Sequence, residues 1–203
     1  MPTIRRWSGK VAAAAVIVAV ARPARAQAQS FFGTLGSTPE VTPNSSPGTG
    51  PVLLLYSPSA HTLTIDLAFS GLLGNTIASH IHCCTAAPFT GGAGVATQTP
   101  TFVGFPLGVT SGTYLNTFDL TLASTYNQAP GAFLSTFGGN TALAEAALIN
   151  GIATGHAYLN VHTDQFPGGE VRTFFSPVPE PATYALVATG LVGLGFVRRR
   201  RTR

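Results

Sequence analysis

From Thr62 to Phe69 the chain alternates. Leu63, Ile65, Leu67 and Phe69 are apolar, and Thr62, Thr64, Asp66 and Ala68 between them are polar or small. A period of two sends successive side chains to opposite faces of an extended strand, so this run is a half-buried β-strand with its odd residues in a core. Tyr114 to Leu122 repeats the pattern. Tyr114, Phe118, Leu120 and Leu122 share one face, Asn116 interrupts it, and Thr113, Thr117, Asp119 and Thr121 lie opposite. Further strand signals fall at 30–36, 52–56, 77–83, 93–98, 156–163 and 170–176, between turns drawn from 23 glycines and 15 prolines. Eight short strands of this kind specify an all-β sandwich or barrel. Only 9% of residues are charged, against about 25% in an average domain, which disfavours long solvated helices. One segment departs from the β pattern. The alanine-rich stretch 140–151, capped by Asn140 or Thr141 and ending at Gly151, predicts a single short helix across one end of the sandwich. Residues 36–51, rich in Pro, Ser, Thr and Gly, predict a long surface loop.

The two ends carry a different grammar. Residues 1–28 combine Arg5, Arg6 and Lys10, an apolar run from Val11 to Ala21, and small-residue sites for cleavage after Ala26 or after Ala28. This is the layout of a secretory signal peptide, and eleven apolar residues are too few to span a bilayer. At the other end Val178-Pro179-Glu180-Pro181 precedes sixteen uncharged residues, 182–197, and an arginine-rich tail, 198–203. Sixteen residues fall just short of the roughly 17–25 of a stable span, and arginines beyond them stay on the cytoplasmic side. The segment therefore reads as a transmembrane helix anchoring the chain transiently in the inner membrane. The β domain between, residues 29–176, is expected outside the cytoplasm, where thiols oxidise.

The formal charge of +4 does not indicate nucleic-acid binding. Ten of the eleven cations lie in the first 25 or last six residues. Between Gln27 and Pro177 one arginine, Arg172, faces six carboxylates, leaving −5. Such a surface opposes phosphate.

His80-Ile81-His82 places two imidazoles on one face of a strand, a chelating geometry suited to copper or zinc. Cys84 shares their parity. A third imidazole must come from elsewhere, and His162, beside the turn 164–169, is the candidate. His156 lies about 20 Å further along the same strand, beyond reach of that site. His61 opens a strand and reads as exposed. Protonation of the imidazoles near pH 6 should release a metal. Cys83 and Cys84 are the only thiols, adjacent in sequence. They leave four alternatives: a vicinal disulfide, an intermolecular bridge, thiolate ligation or two reduced buried thiols. Glu170 and Arg172 share a strand face and suggest a structural ion pair. The sequence contains no Gly-x-Ser-x-Gly elbow, phosphate loop or His-Glu-x-x-His helix, so no catalytic residue is assigned.

Two resemblances follow. The Pro-Glu-Pro motif, apolar stretch and arginine tail resemble the PEP-CTERM sorting signal of Gram-negative bacteria. That resemblance implies signal peptidase and exosortase as processing partners, and a host that makes an exopolysaccharide matrix. Ser79-His80-Ile81-His82, Gly112-Thr113-Tyr114, Ala157–Thr163 and Phe166-Pro167-Gly168-Gly169-Glu170-Val171-Arg172 together resemble the CHRD domain over about residues 30–176. This implies an immunoglobulin-like β-structure and no established activity. The chain departs from the family pattern at Cys83-Cys84-Thr85, which intervenes before Gly91-Gly92. The expected function is a non-catalytic surface or extracellular-matrix protein, with exopolysaccharide as a possible partner. The alternative is a copper- or zinc-binding module loosely similar to superoxide dismutase. A carbohydrate-binding module lacks its tryptophans, because Trp7 belongs to the signal peptide.

Overall fold

A computed structural model describes residues 27–179 together with 189 and 190. The expected signal-peptide helix and the expected transmembrane helix at 182–197 lie outside the described residues, apart from Thr189 and Gly190. Among the described residues no helix is long and apolar enough to cross a membrane.

Eight strands form two antiparallel sheets. The larger runs β5 (Gly112–Asp119), β3 (Thr62–Phe69), β2 (Gly50–Ser57), β1 (Gln29–Leu35), β8 (Ser176–Val178), and the smaller runs β4 (Thr76–Cys83), β6 (Ala157–Thr163), β7 (Val171–Phe174). The alternation in β3 is realised as expected. Leu63, Ile65, Leu67 and Phe69 are buried, each stabilising the fold by about 1.5–3 kcal/mol relative to exposure. From the smaller sheet Ile81, Leu159, Val161 and Val171 meet them in the same core.

Helix α1 (Phe133–Thr136) is a single turn, and α2 (Thr141–Ala153) is the expected helix, extended by two residues. Asn140 caps it by accepting a hydrogen bond from the Leu143 amide, satisfying a donor that the first turn leaves free. Gly151 is not its terminator. It sits inside the helix, where a Cβ would run into the sulfur atoms of Cys83 and Cys84.

Three of the expected strands also need correction. Residues 93–98 form no strand, only isolated bridges from Val95 to His82 and from Thr97 to Tyr126. The run 114–122 stops at Asp119, whose carboxylate binds the amide and hydroxyl of Thr121 and turns the chain, leaving Leu122 exposed. The run 170–176 divides. β7 belongs to the smaller sheet and β8 to the larger, with the fully buried Phe175 between them.

The smaller sheet is covered on both sides. Every residue of β6 is buried, the outward-facing Tyr158, Asn160 and His162 included, because loops pack over the face opposite the core.

Candidate metal centre

Strand pleating brings three imidazoles together on that covered face. Ile81 points into the core, so His80 and His82 point the other way. The antiparallel register sets Asn160 opposite His80 and His162 opposite Ala78, which makes His162 the diagonal neighbour of His80. Ring centroids lie 5.5 Å apart for His80–His82, 5.0 Å for His80–His162 and 5.7 Å for His82–His162. One ring nitrogen from each lies within 4.8 Å of the other two. Nitrogens bound at 2.0–2.1 Å to one ion sit closer than this, so a shared ion would require the rings to draw together by roughly 1 Å.

The hydrogen bonds decide which nitrogens are free. His80 Nε2 meets the Pro100 carbonyl at 2.7 Å, His82 Nδ1 the Ala93 carbonyl at 3.0 Å, and His162 Nδ1 the Pro167 carbonyl at 2.9 Å. A carbonyl only accepts, so each of these nitrogens carries the proton and the other ring nitrogen carries a lone pair. Those others, His80 Nδ1, His82 Nε2 and His162 Nε2, are buried without a hydrogen-bond partner. Burial holds all three rings neutral. It pushes His80 and His82 down to about 4, against the opposing pull of their carbonyl bonds, and lowers His162 as well. Proton competition expected near pH 6 therefore moves well below it.

A ring of residues supports the trio, and of these sequence reasoning singled out Arg172 but not Tyr158, Phe174, Asn160 or Glu40. Tyr158 stacks on His82 with centroids 4.8 Å apart and planes 4° from parallel. The Arg172 guanidinium lies 4.5 Å from the Tyr158 ring centre and 5.1 Å from that of Phe174. It donates to the carbonyls of Pro39 and Gly91, tying two covering loops to the sheet. Glu40, in the first of those loops, lies 3.9 Å from Arg172 Nε and accepts from Asn160 Nδ2 at 3.4 Å. Burial raises the Glu40 pKa to about 7, despite the Arg172 charge and the Asn160 bond that oppose it. Tyr158 and Asn160 were within reach of a parity argument on β6. Glu40 was not, since nothing in a loop sequence says where the loop lands.

The other candidates have separate roles. Cys83 and Cys84 form a vicinal disulfide. That bond commits the Cys84 sulfur, which lies against α2 near the Ala147 carbonyl, so Cys84 is no fourth ligand. Glu170 and Arg172 serve different partners. Glu170 lies just before β7, where strand parity does not apply, and accepts from Ser46 Oγ, Thr163 Oγ1 and the amides of Leu73 and Gly74. Burial alone would raise its pKa, but these four donors hold it below the usual value. Among the described residues the carboxylate facing Arg172 is that of Glu40. His156 holds the Thr85 carbonyl at 2.7 Å. His61, half-exposed as expected, also binds the buried Glu145 at 2.9 Å. Of the sorting motif, Val178 ends β8 and Pro179 is described, while Glu180 and Pro181 lie outside the described residues.

A family model described as the CHRD domain matches residues 31–175, and one described as the PEP-CTERM protein-sorting motif matches residues 177–201. No curated protein and no solved structure matches the chain.

Proposed function

Because the chain belongs to the CHRD domain family and ends in a PEP-CTERM sorting motif, we propose that it is an exported, exosortase-processed protein of the cell surface or extracellular matrix whose β domain holds copper or zinc on His80, His82 and His162. One observation carries the metal reading: three buried imidazole nitrogens, each left without a partner while its ring mate is fixed by a carbonyl. Burying unpartnered polar atoms is costly, and a cation offsets that cost for all three together.

The role is non-catalytic. Turnover of the superoxide dismutase kind needs a coordination position open to substrate. Here each histidine is no more than 8% exposed beneath loops pinned by Arg172. The surface offered for contact with a neutral exopolysaccharide is the outer face of the larger sheet, where Thr34, Thr113 and Thr117 stand among the exposed apolar Phe32, Leu55 and Leu115 with no cation.

Titration of the chelator-treated protein with each metal tests the site. One equivalent should bind, and His80→Ala with His82→Ala should abolish uptake while circular dichroism stays unchanged. Folded wild-type protein that takes up neither metal at micromolar levels overturns the metal reading. Fractionation of a native culture with and without exosortase tests location, and matrix mass in a deletion strain tests role. Periplasmic retention with unchanged matrix overturns the surface assignment.

A further inference from the structure

Resting on the metal reading above, the donor set also constrains the charge of the ion. All three ligands are neutral imidazoles, and among the described residues no carboxylate or thiolate joins the group. The nearby carboxylate, Glu40, is turned to Asn160 and Arg172 instead. The nearby thiols are consumed in the disulfide. The one cation of the neighbourhood among the described residues, Arg172, lies behind His82 with Tyr158 between them and offers an ion no counter-charge.

The free nitrogens are shut off from solvent, so water does little to screen an ion placed among them. The cost of taking an ion out of water grows with the square of its charge, and buried ions persist only where counter-charge repays that cost. Structural zinc sites meet the requirement with four ligands, commonly including thiolates, and catalytic ones keep water in the fourth position. This pocket has three ligands, no counter-charge and no solvent access. The order of affinities among divalent metals reflects ligand bonding, and the added cost of the second charge falls on all of them alike. A monovalent d10 ion that accepts three nitrogen donors avoids that cost.

We infer that the histidine trio selects cuprous copper over zinc and over cupric copper. The site is a holder of Cu(I), and the covering loops keep the bound ion from solvent and from oxidants.

Anaerobic competition tests this. The purified, metal-free protein is titrated against a chromophoric Cu(I) chelator and, separately, against a chromophoric zinc chelator. Cu(I) should bind more tightly than zinc by about two orders of magnitude or more. Equal or tighter zinc binding overturns the inference while leaving the metal site intact. Binding of neither ion overturns both readings. His162→Asp supplies the missing negative charge and should swing the ratio toward zinc, with folding checked by circular dichroism. A folded His162→Asp protein whose Cu(I)-to-zinc ratio is unmoved also overturns the charge argument.

Discussion

Replacing Glu40 by glutamine removes a carboxyl group that burial keeps partly protonated near neutral pH. Burial raises its pKa from 4.5 to about 7. In the unfolded chain the proton leaves at the ordinary value, and in the folded chain it stays until the higher one. Between the two the native state binds more protons, so stability falls as pH rises. The contribution of Glu40 is fully present below pH 4.5 and lost through pH 7. A shift of this size at about 1.4 kcal/mol per unit amounts to about 3 kcal/mol. His80 and His82 act in the opposite sense. Their depressed values add stability above pH 6.5 that is lost as pH falls through about 4. Both proteins share that component, so it cancels in their difference. Glutamine also brings an amide donor beside Asn160 Oδ1, which is buried without a partner. Urea denaturation followed by far-ultraviolet circular dichroism, with chelator present, should show Glu40→Gln gaining about 3 kcal/mol on the wild type between pH 4.5 and pH 8. A difference that changes by less than about 1 kcal/mol over that range would refute the buried-carboxylate reasoning.

Gly50→Ala should destabilise the protein by about 2 kcal/mol or more in the same assay, because the added Cβ meets the Ala68 carbonyl on the neighbouring strand and backbone must move. Arg172→Lys keeps the charge but loses the planar fork and its stacking. It should cost about 2–3 kcal/mol and open the loops around Pro39 and Gly91 to limited proteolysis; wild-type protease resistance would count against the clamp. Alkylation of the denatured, unreduced protein should label neither cysteine, and prior reduction should expose both; labelling without reductant would exclude the vicinal disulfide.

How far the sequence could be read depended on whether a residue's fate was local. The β3 alternation fixed its own core face, since strand pleating needs no information from elsewhere. His80 and His82 were found for the same reason. His162 required a guess at pairing, and the register with Ala78 supplies what periodicity lacks. The covered outer face was hidden because Tyr158, Asn160 and His162 look like the polar side of a half-buried strand. Their burial comes from loops distant in the chain, at Glu40 and Ala93, together with the turn at Pro167 and Gly169. Arg172 was visible as the lone cation of the domain, but its partner was misjudged. The neighbour at Glu170 was closer in sequence than the true contact at Glu40, 132 positions away.

The last strand pairs Ser30 with Val178, Phe31 with Pro177 and Phe32 with Ser176 at the outer edge of the larger sheet. The domain thus begins and ends at one corner, and a tether leaving Val178 delivers its tension to the weakest seam in the sheet. Sideways tension peels β8 from a single neighbour, pair by pair, until it reaches Phe175, whose fully buried ring locks the chain into the core. Three released residues yield about 10 Å of slack. Were the chain held by its tail, that seam would yield first, ahead of the buried Phe175 and of the sheet that carries the histidines.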